Sequence, residues 1–229
     1  GLLSTGVNVY EAGPLTPALE RFGVGFLGAD GGVYFKTFPE DRQRLRIQFF
    51  DNRGIDISRD AERKIDNFFH REDFRRVPSG EVKYVLTAPD FVSAYLDFIN
   101  QEVNEDFWKY NPAIVLCTLG NPADAAIKLL LESIGLTVHI VEAVHGSESK
   151  EDLQPICAAV AETVNRTGAL FGAVVDCHGD NLAVVDANGT VIKGDSLTAL
   201  LSLVYFILNK GGTFVVPVTT SRAVEEIAQ

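Results

Sequence analysis

The chain has 229 residues, about one and a half typical domains, and its 46% hydrophobic and 22% charged content is ordinary globular composition. That excludes bulk disorder and a miniprotein dependent on disulfides. With 20 basic and 31 acidic residues the formal charge is −11, which argues against sequence-independent binding to nucleic acid or anionic lipid but leaves room for a local basic pocket.

Strand and helix signals alternate along the chain, which predicts an α/β fold with parallel strands and flanking helices. Val7–Tyr10 reads as a short strand. Leu15–Leu27 reads as a helix with Pro17 in its first turn. Gly31-Gly32 opens a strand over Val33–Thr37, and Leu45–Phe50 alternates like a half-buried strand. Asp51-Asn52-Arg53-Gly54 is turn chemistry, and Ser58 caps a helix whose Ala61, Ile65, Phe68 and Phe69 share one face. The charged stretch from Arg71 to Tyr84 reads as a surface connection, and Pro89–Val103 as a helix. A boundary is expected in the polar, aromatic stretch Asn104–Pro112, where Trp108 and Tyr110 anchor a linker.

The second half is more regular. Ala113–Cys117 reads as a buried strand. A helix capped by Asn121-Pro122 runs from there to Gly135. Strand Thr137–Glu142, helix Glu151–Arg166 and strand Phe171–Asp176 complete a β-α-β-α-β series. Asn188-Gly189 predicts a hairpin between Leu182–Asp186 and Val191-Ile192. Asp195–Leu208 reads as a helix, Thr213–Val218 as a strand, and Ser221 onward as the start of another helix.

No stretch reaches the roughly 18 apolar residues a membrane span requires. No basic segment or long apolar run follows Gly1, so no secretory signal is expected. Cys117, Cys157 and Cys177 form no CxxC pair and read as reduced thiols of a cytoplasmic protein, the first two in the core. Methionine is absent throughout, and the chain reads as trimmed.

The residues richest in chemistry are Asp176-Cys177-His178-Gly179-Asp180-Asn181. They follow a buried strand, and ligands of open α/β sheets gather at the carboxyl ends of strands. Oxygen ligands on a glycine-containing loop suit a hard cation such as Mg²⁺. Spacing alone allows Asp176, His178 and Asp180 to share a metal, but Asp, Gly and Asn are common turn residues and favour a solvated turn.

The whole run Asp176–Asp195 resembles the metal-loop region of the α-D-phosphohexomutases, the phosphomannomutase/phosphoglucomutase superfamily, with its D-x-D-G-D-R loop, hairpin and following helix. Gly1–Tyr10, Gly13–Pro17 and Gly54–Phe74 resemble the same family's first domain. The closest likeness is to the mutase-like region fused behind sugar nucleotidyltransferases, as in mannose-1-phosphate guanylyltransferase fusions. The resemblance implies mixed-sheet domains at 1–111 (a partial first domain), 112–192 (a second, carrying a degenerate metal loop) and 193–229 (the start of a third). It also implies a hexose phosphate as the bound partner, Mg²⁺ as cofactor, and intramolecular phosphoryl transfer through a phosphorylated serine.

The chain departs from that pattern where the chemistry is concentrated. The family's T-A-S-H-N-P run corresponds to the stretch after Gly31-Gly32, which holds no serine; Thr37 is the hydroxyl nearest that position. His178 replaces the central aspartate of the metal loop and Asn181 its arginine. Phosphoryl transfer depends on positioning and charge neutralisation, so three coordinated losses imply a degenerate site and weak or absent Mg²⁺ binding. Two classes follow: an inactive module that binds sugar phosphate, alone or beside a nucleotidyltransferase, or an Mg²⁺-dependent mutase active at full length. Other candidates are structural in this reading: Ser4-Thr5-Gly6 as a strand-entry turn, His70 and His145 as solvated, His139 as a strand residue, and Arg71, Arg75 and Arg76 as a charged face shared with Glu72 and Asp73.

Overall fold

The computed structural model describes residues 1–38, 41–72, 74–102, 112–119, 124–142, 153–176, 179–210 and 212–228. The chain forms two compact units. The first comprises Gly1–Asn104 with Ala125–Ile134, the second Glu105–Asp124 with Gly135–Gln229.

In the first unit, β1 (Val9–Glu11) leads to α1 (Pro17–Phe26). Thr16 caps α1, its hydroxyl accepting the Leu19 N–H at 3.4 Å, and Pro17 occupies the position where a missing N–H costs nothing. β2 (Gly31–Phe38) and β3 (Asp41–Asp51) pair antiparallel in a sheet of their own. The turn after β3 is built as its sequence predicts. Asp51 Oδ1 accepts the Arg53 and Ile55 N–H groups, and Gly54 takes a left-handed φ of 72°. Ser58 caps α2 (Arg59–Arg71) by accepting the Ala61 N–H.

Two features of this unit differ from the sequence reading. Beyond the charged connection lies a strand that the reading missed, β4 (Val85–Thr87), parallel to β1. The predicted apolar face of α2 exists, yet Phe68 and Phe69 on it are exposed. α3 (Phe91–Glu102) packs on α1, where Phe22 meets Tyr95 edge-on at 5.2 Å and Phe98 at 5.9 Å.

The second unit is built on a five-stranded sheet. Its strands are β5 (Ala113–Cys117), β6 (Thr137–Ile140), β7 (Gly172–Val175), β8 (Leu182–Val185) and β9 (Val191–Lys193), in the order β6-β5-β7-β8-β9. β5, β6 and β7 run parallel, and β8 and β9 fold back antiparallel. The predicted three parallel strands of the β-α-β-α-β series therefore lie in one sheet, with α4 (Asp124–Ser133) and α5 (Gln154–Thr167) in the two connections. The predicted caps Gly120–Pro122 lie outside the described residues.

α5 supplies the core. Val160 is fully buried and Val164 nearly so, packed against β5, β7 and β8. A Cβ on Gly172 would come within 2.0 Å of a Val160 methyl, so glycine there lets helix and strand approach closely. Cys117 and Cys157 are buried in this core as predicted, and burial pushes both thiols up, away from reactivity.

After β9 comes α6 (Asp195–Asn209). Leu200, Leu203, Val204 and Ile207, at helical spacing on one stripe, are exposed. The predicted strand over Thr213–Val218 is absent: the segment has no ladder partner among the described residues, and Val215 and Val218 are open to solvent. An apolar run needs a neighbouring strand to become one. α7 (Ala223–Ile227) closes the described chain. No helix among the described residues is long and apolar enough to cross a membrane.

Candidate functional site

The loop after β7 lies at the carboxyl end of the parallel strands, as its sequence predicts. Asp176 organises it. Its Oδ1 accepts the Asp180 N–H at 2.8 Å and the Asn181 N–H at 3.3 Å, and its Oδ2 accepts the Asn181 side-chain amide at 2.6 Å. Two backbone bonds close the same turn: Asp176 N–H to Asn181 O at 3.1 Å, and Gly179 N–H to Asp176 O at 3.0 Å. Gly179 takes a left-handed φ of 72°. Asn181 is thus part of a local clasp, and Asp180 is exposed beside it. His178 and Cys177 lie outside the described residues.

A hard cation wants several oxygens that converge on one point. Both Asp176 oxygens face inward on N–H groups of their own loop. Among the described residues, no three His, Cys, Asp or Glu side chains gather around a common point.

Thr37 lies near the end of β2, opposite Leu45, and is exposed; the ladder register shifts between Thr37 and Phe38. It belongs to the first unit, whereas Asp176 and Asp180 belong to the second. Ser4 and Thr5 donate to the Gly1 and Leu2 carbonyls within a single 3₁₀ turn, a structural role. His70 is exposed, with Nδ1 2.7 Å from the Asp66 carbonyl. His145, Trp108 and Tyr110 lie outside the described residues.

Sequence reasoning missed two features. One is an open crevice of about 420 Å³ at the carboxyl ends of β1 and β4, lined among others by Glu11, Gly13, Thr87 and Asp90. It was illegible because β4 was. Asp90 keeps its carboxyl below the usual range by accepting from the Ser93 hydroxyl and the Ser93 N–H. The other is Glu20, a half-buried carboxyl on α1 that no motif marks.

Comparison with known proteins joins these pieces. The pattern for phosphoglucomutase/phosphomannomutase, alpha/beta/alpha domain I, matches residues 1–76. A phosphoglucomutase/phosphomannomutase of Thermococcus kodakarensis is 28% identical over all of this chain and 51% of its own length. A phosphoglucosamine/phosphogalactosamine mutase of Sulfurisphaera tokodaii is 27% identical over 99% of this chain and 51% of its own. The chain is thus similar to the α-D-phosphohexomutase superfamily, whose first domain matches residues 1–76. A crystal structure of a phosphoglucomutase/phosphomannomutase family protein from Burkholderia thailandensis shares the fold, with a TM-score of 0.75 at 18% identity, over all of this chain and 52% of that one. The chain spans about half the length of the curated relatives it matches.

Proposed function

We propose that this phosphohexomutase-type chain binds a hexose phosphate in sugar-phosphate metabolism without transferring the phosphoryl group. The observation that carries the reading is a mutase likeness along the whole chain combined with a β2 segment that lacks a serine. A mutase donates an enzyme-borne phosphate to one sugar oxygen and takes the other phosphate back. Without a carrier hydroxyl in the right place, neither half of that exchange occurs. Thr37 is the nearest hydroxyl, but it sits in a strand ladder and is a weak substitute.

The same reading extends to the metal loop. With the Asp176 carboxylate engaged by its own loop, Mg²⁺ binding is millimolar or weaker, about 4 kcal/mol or less. No step of the proposed role runs through the metal. The finer part of the proposal is that the chain works beside a sugar nucleotidyltransferase of the mannose-1-phosphate guanylyltransferase kind, and that residues 193–229 open a third mutase-type domain.

The test is a paired measurement on the 229-residue chain: thermal stability with and without glucose 1-phosphate or mannose 1-phosphate, and mutase turnover with the same sugars. A ligand-dependent rise in Tm without turnover is expected. Turnover, or no response to either sugar phosphate, would refute the proposal. Calorimetry with Mg²⁺ adds a second check: Asp restored in place of His178 is expected to tighten binding, and micromolar binding by the unchanged chain would contradict the weak site.

A further inference from the structure

Glu20 stands in the seam between α1 and β2. The seam is apolar and tight. A Cβ on Gly32 would lie 2.6 Å from a Val24 methyl, 3.2 Å from the Phe50 ring and 3.5 Å from Glu20 Oε1. Val24 and Phe50 are both buried. The Glu20 carboxyl meets one backbone donor there, the Val33 N–H. A carboxylic acid fits such a place at little cost, whereas a carboxylate gives up part of its hydration for a single hydrogen bond.

From this geometry we infer that Glu20 is a proton-controlled latch: protonated, it keeps β2 docked on α1; ionised, it loosens the β2–β3 hairpin. Among the described residues the hairpin has no third strand beside it, so its hold on α1 matters for its order. The latch sits at the root of β2, whose far end carries Thr37.

The charge balance agrees. Burial pushes the Glu20 carboxyl up to about 7, against the lowering effect of the Val33 N–H. Among the described side chains, the charged groups on the elements packed against α1 are Lys36 on β2 and Asp97 on α3. α1 itself adds Arg21, which bonds Asp56 Oδ2 at 2.8 Å and lies 4.7 Å above the Phe50 ring. None of these enters the balance at Glu20, which is set by burial and the Val33 N–H. Because the folded pKa lies above the ordinary value of 4.5, the stabilisation is complete below 4.5 and is lost as the pH rises through about 7.

Amide hydrogen exchange at pH 6 and pH 8, corrected for intrinsic rates, tests the latch. The expected result is a loss of protection of about tenfold across Val33–Phe35 between the two pH values, with β5 amides unchanged as the internal reference. Glu20→Gln keeps the shape and removes the charge, so its β2 protection is expected to be the same at both pH values. Equal protection of β2 at pH 6 and 8 in the unmodified chain would overturn the inference, as would the full pH dependence persisting in Glu20→Gln. If Glu20→Gln folds poorly, the unmodified chain's β2-against-β5 comparison decides alone.

Discussion

Asp51, Asp176 and Asp186 sit in three different turns and do one job. Each carboxylate gathers two backbone N–H groups from the residues just after it: Arg53 and Ile55 for Asp51, Asp180 and Asn181 for Asp176, and Asn188 and Thr190 for Asp186. These bonds favour the ionised form. The Ile55 N–H holds Asp51 below the usual carboxylate range, and the Thr190 N–H does so for Asp186. A depressed folded pKa means that the stabilisation is present above 3.8 and is lost as the pH falls through the folded value. Asp186→Ala is therefore expected to lower Tm at neutral pH, with a gap from the unmodified chain that narrows below pH 3.8. A gap that stays constant into acid would assign the effect to something other than the carboxylate. Gly54 gives a sharper case. Its φ is 72°, and a Cβ there would lie 2.2 Å from the Arg21 carbonyl oxygen. Gly54→Ala is expected to cost at least about 2 kcal/mol, read by denaturant unfolding, because the left-handed penalty adds to a backbone clash.

The α5–β7 contact is the element-scale counterpart. Val160→Ala deletes buried methyls and is expected to destabilise by about 2 kcal/mol. Gly172→Ala is expected to destabilise by forcing Val160 aside. Combined, the two should cost clearly less than their sum, because the smaller side chain makes room for the new Cβ. Strict additivity in a denaturant-melt cycle would show that the two do not share that space. Elements with a local signature were legible in the sequence: the apolar run of β5, the Asn188-Gly189 turn between β8 and β9, and Pro17 in the first turn of α1. Elements defined by their neighbours were not. β4 is three residues long, too short for a period, and exists because β1 lies beside it. The run Thr213–Val218 has strand composition but no pairing partner among the described residues. At the candidate site, spacing and resemblance single out Asp176, Asp180 and Thr37 in the sequence. The inward clasp of Asp176 was not legible, because hydrogen-bond direction is set by the folded loop. Glu20 left no trace at all, since its burial is created by β2 and Phe50.

At the scale of the whole molecule, the likeness to phosphoglucomutase/phosphomannomutase structures extends over the whole chain, and the sequence from Gly31 to Asp41 holds no serine. A chain of net charge −11 gains nothing from general attraction to anions. Any sugar phosphate it holds must be recognised by local donors and cations, so its binding should weaken with salt only modestly. The proposed loss of phosphoryl transfer is tested most directly by intact-mass measurement after incubation with glucose 1,6-bisphosphate. The expected result is an unchanged mass, with no phosphate retained by the chain. Stoichiometric phosphate, localised to Thr37, would contradict the account and show that a threonine in β2 does the work of the family's serine.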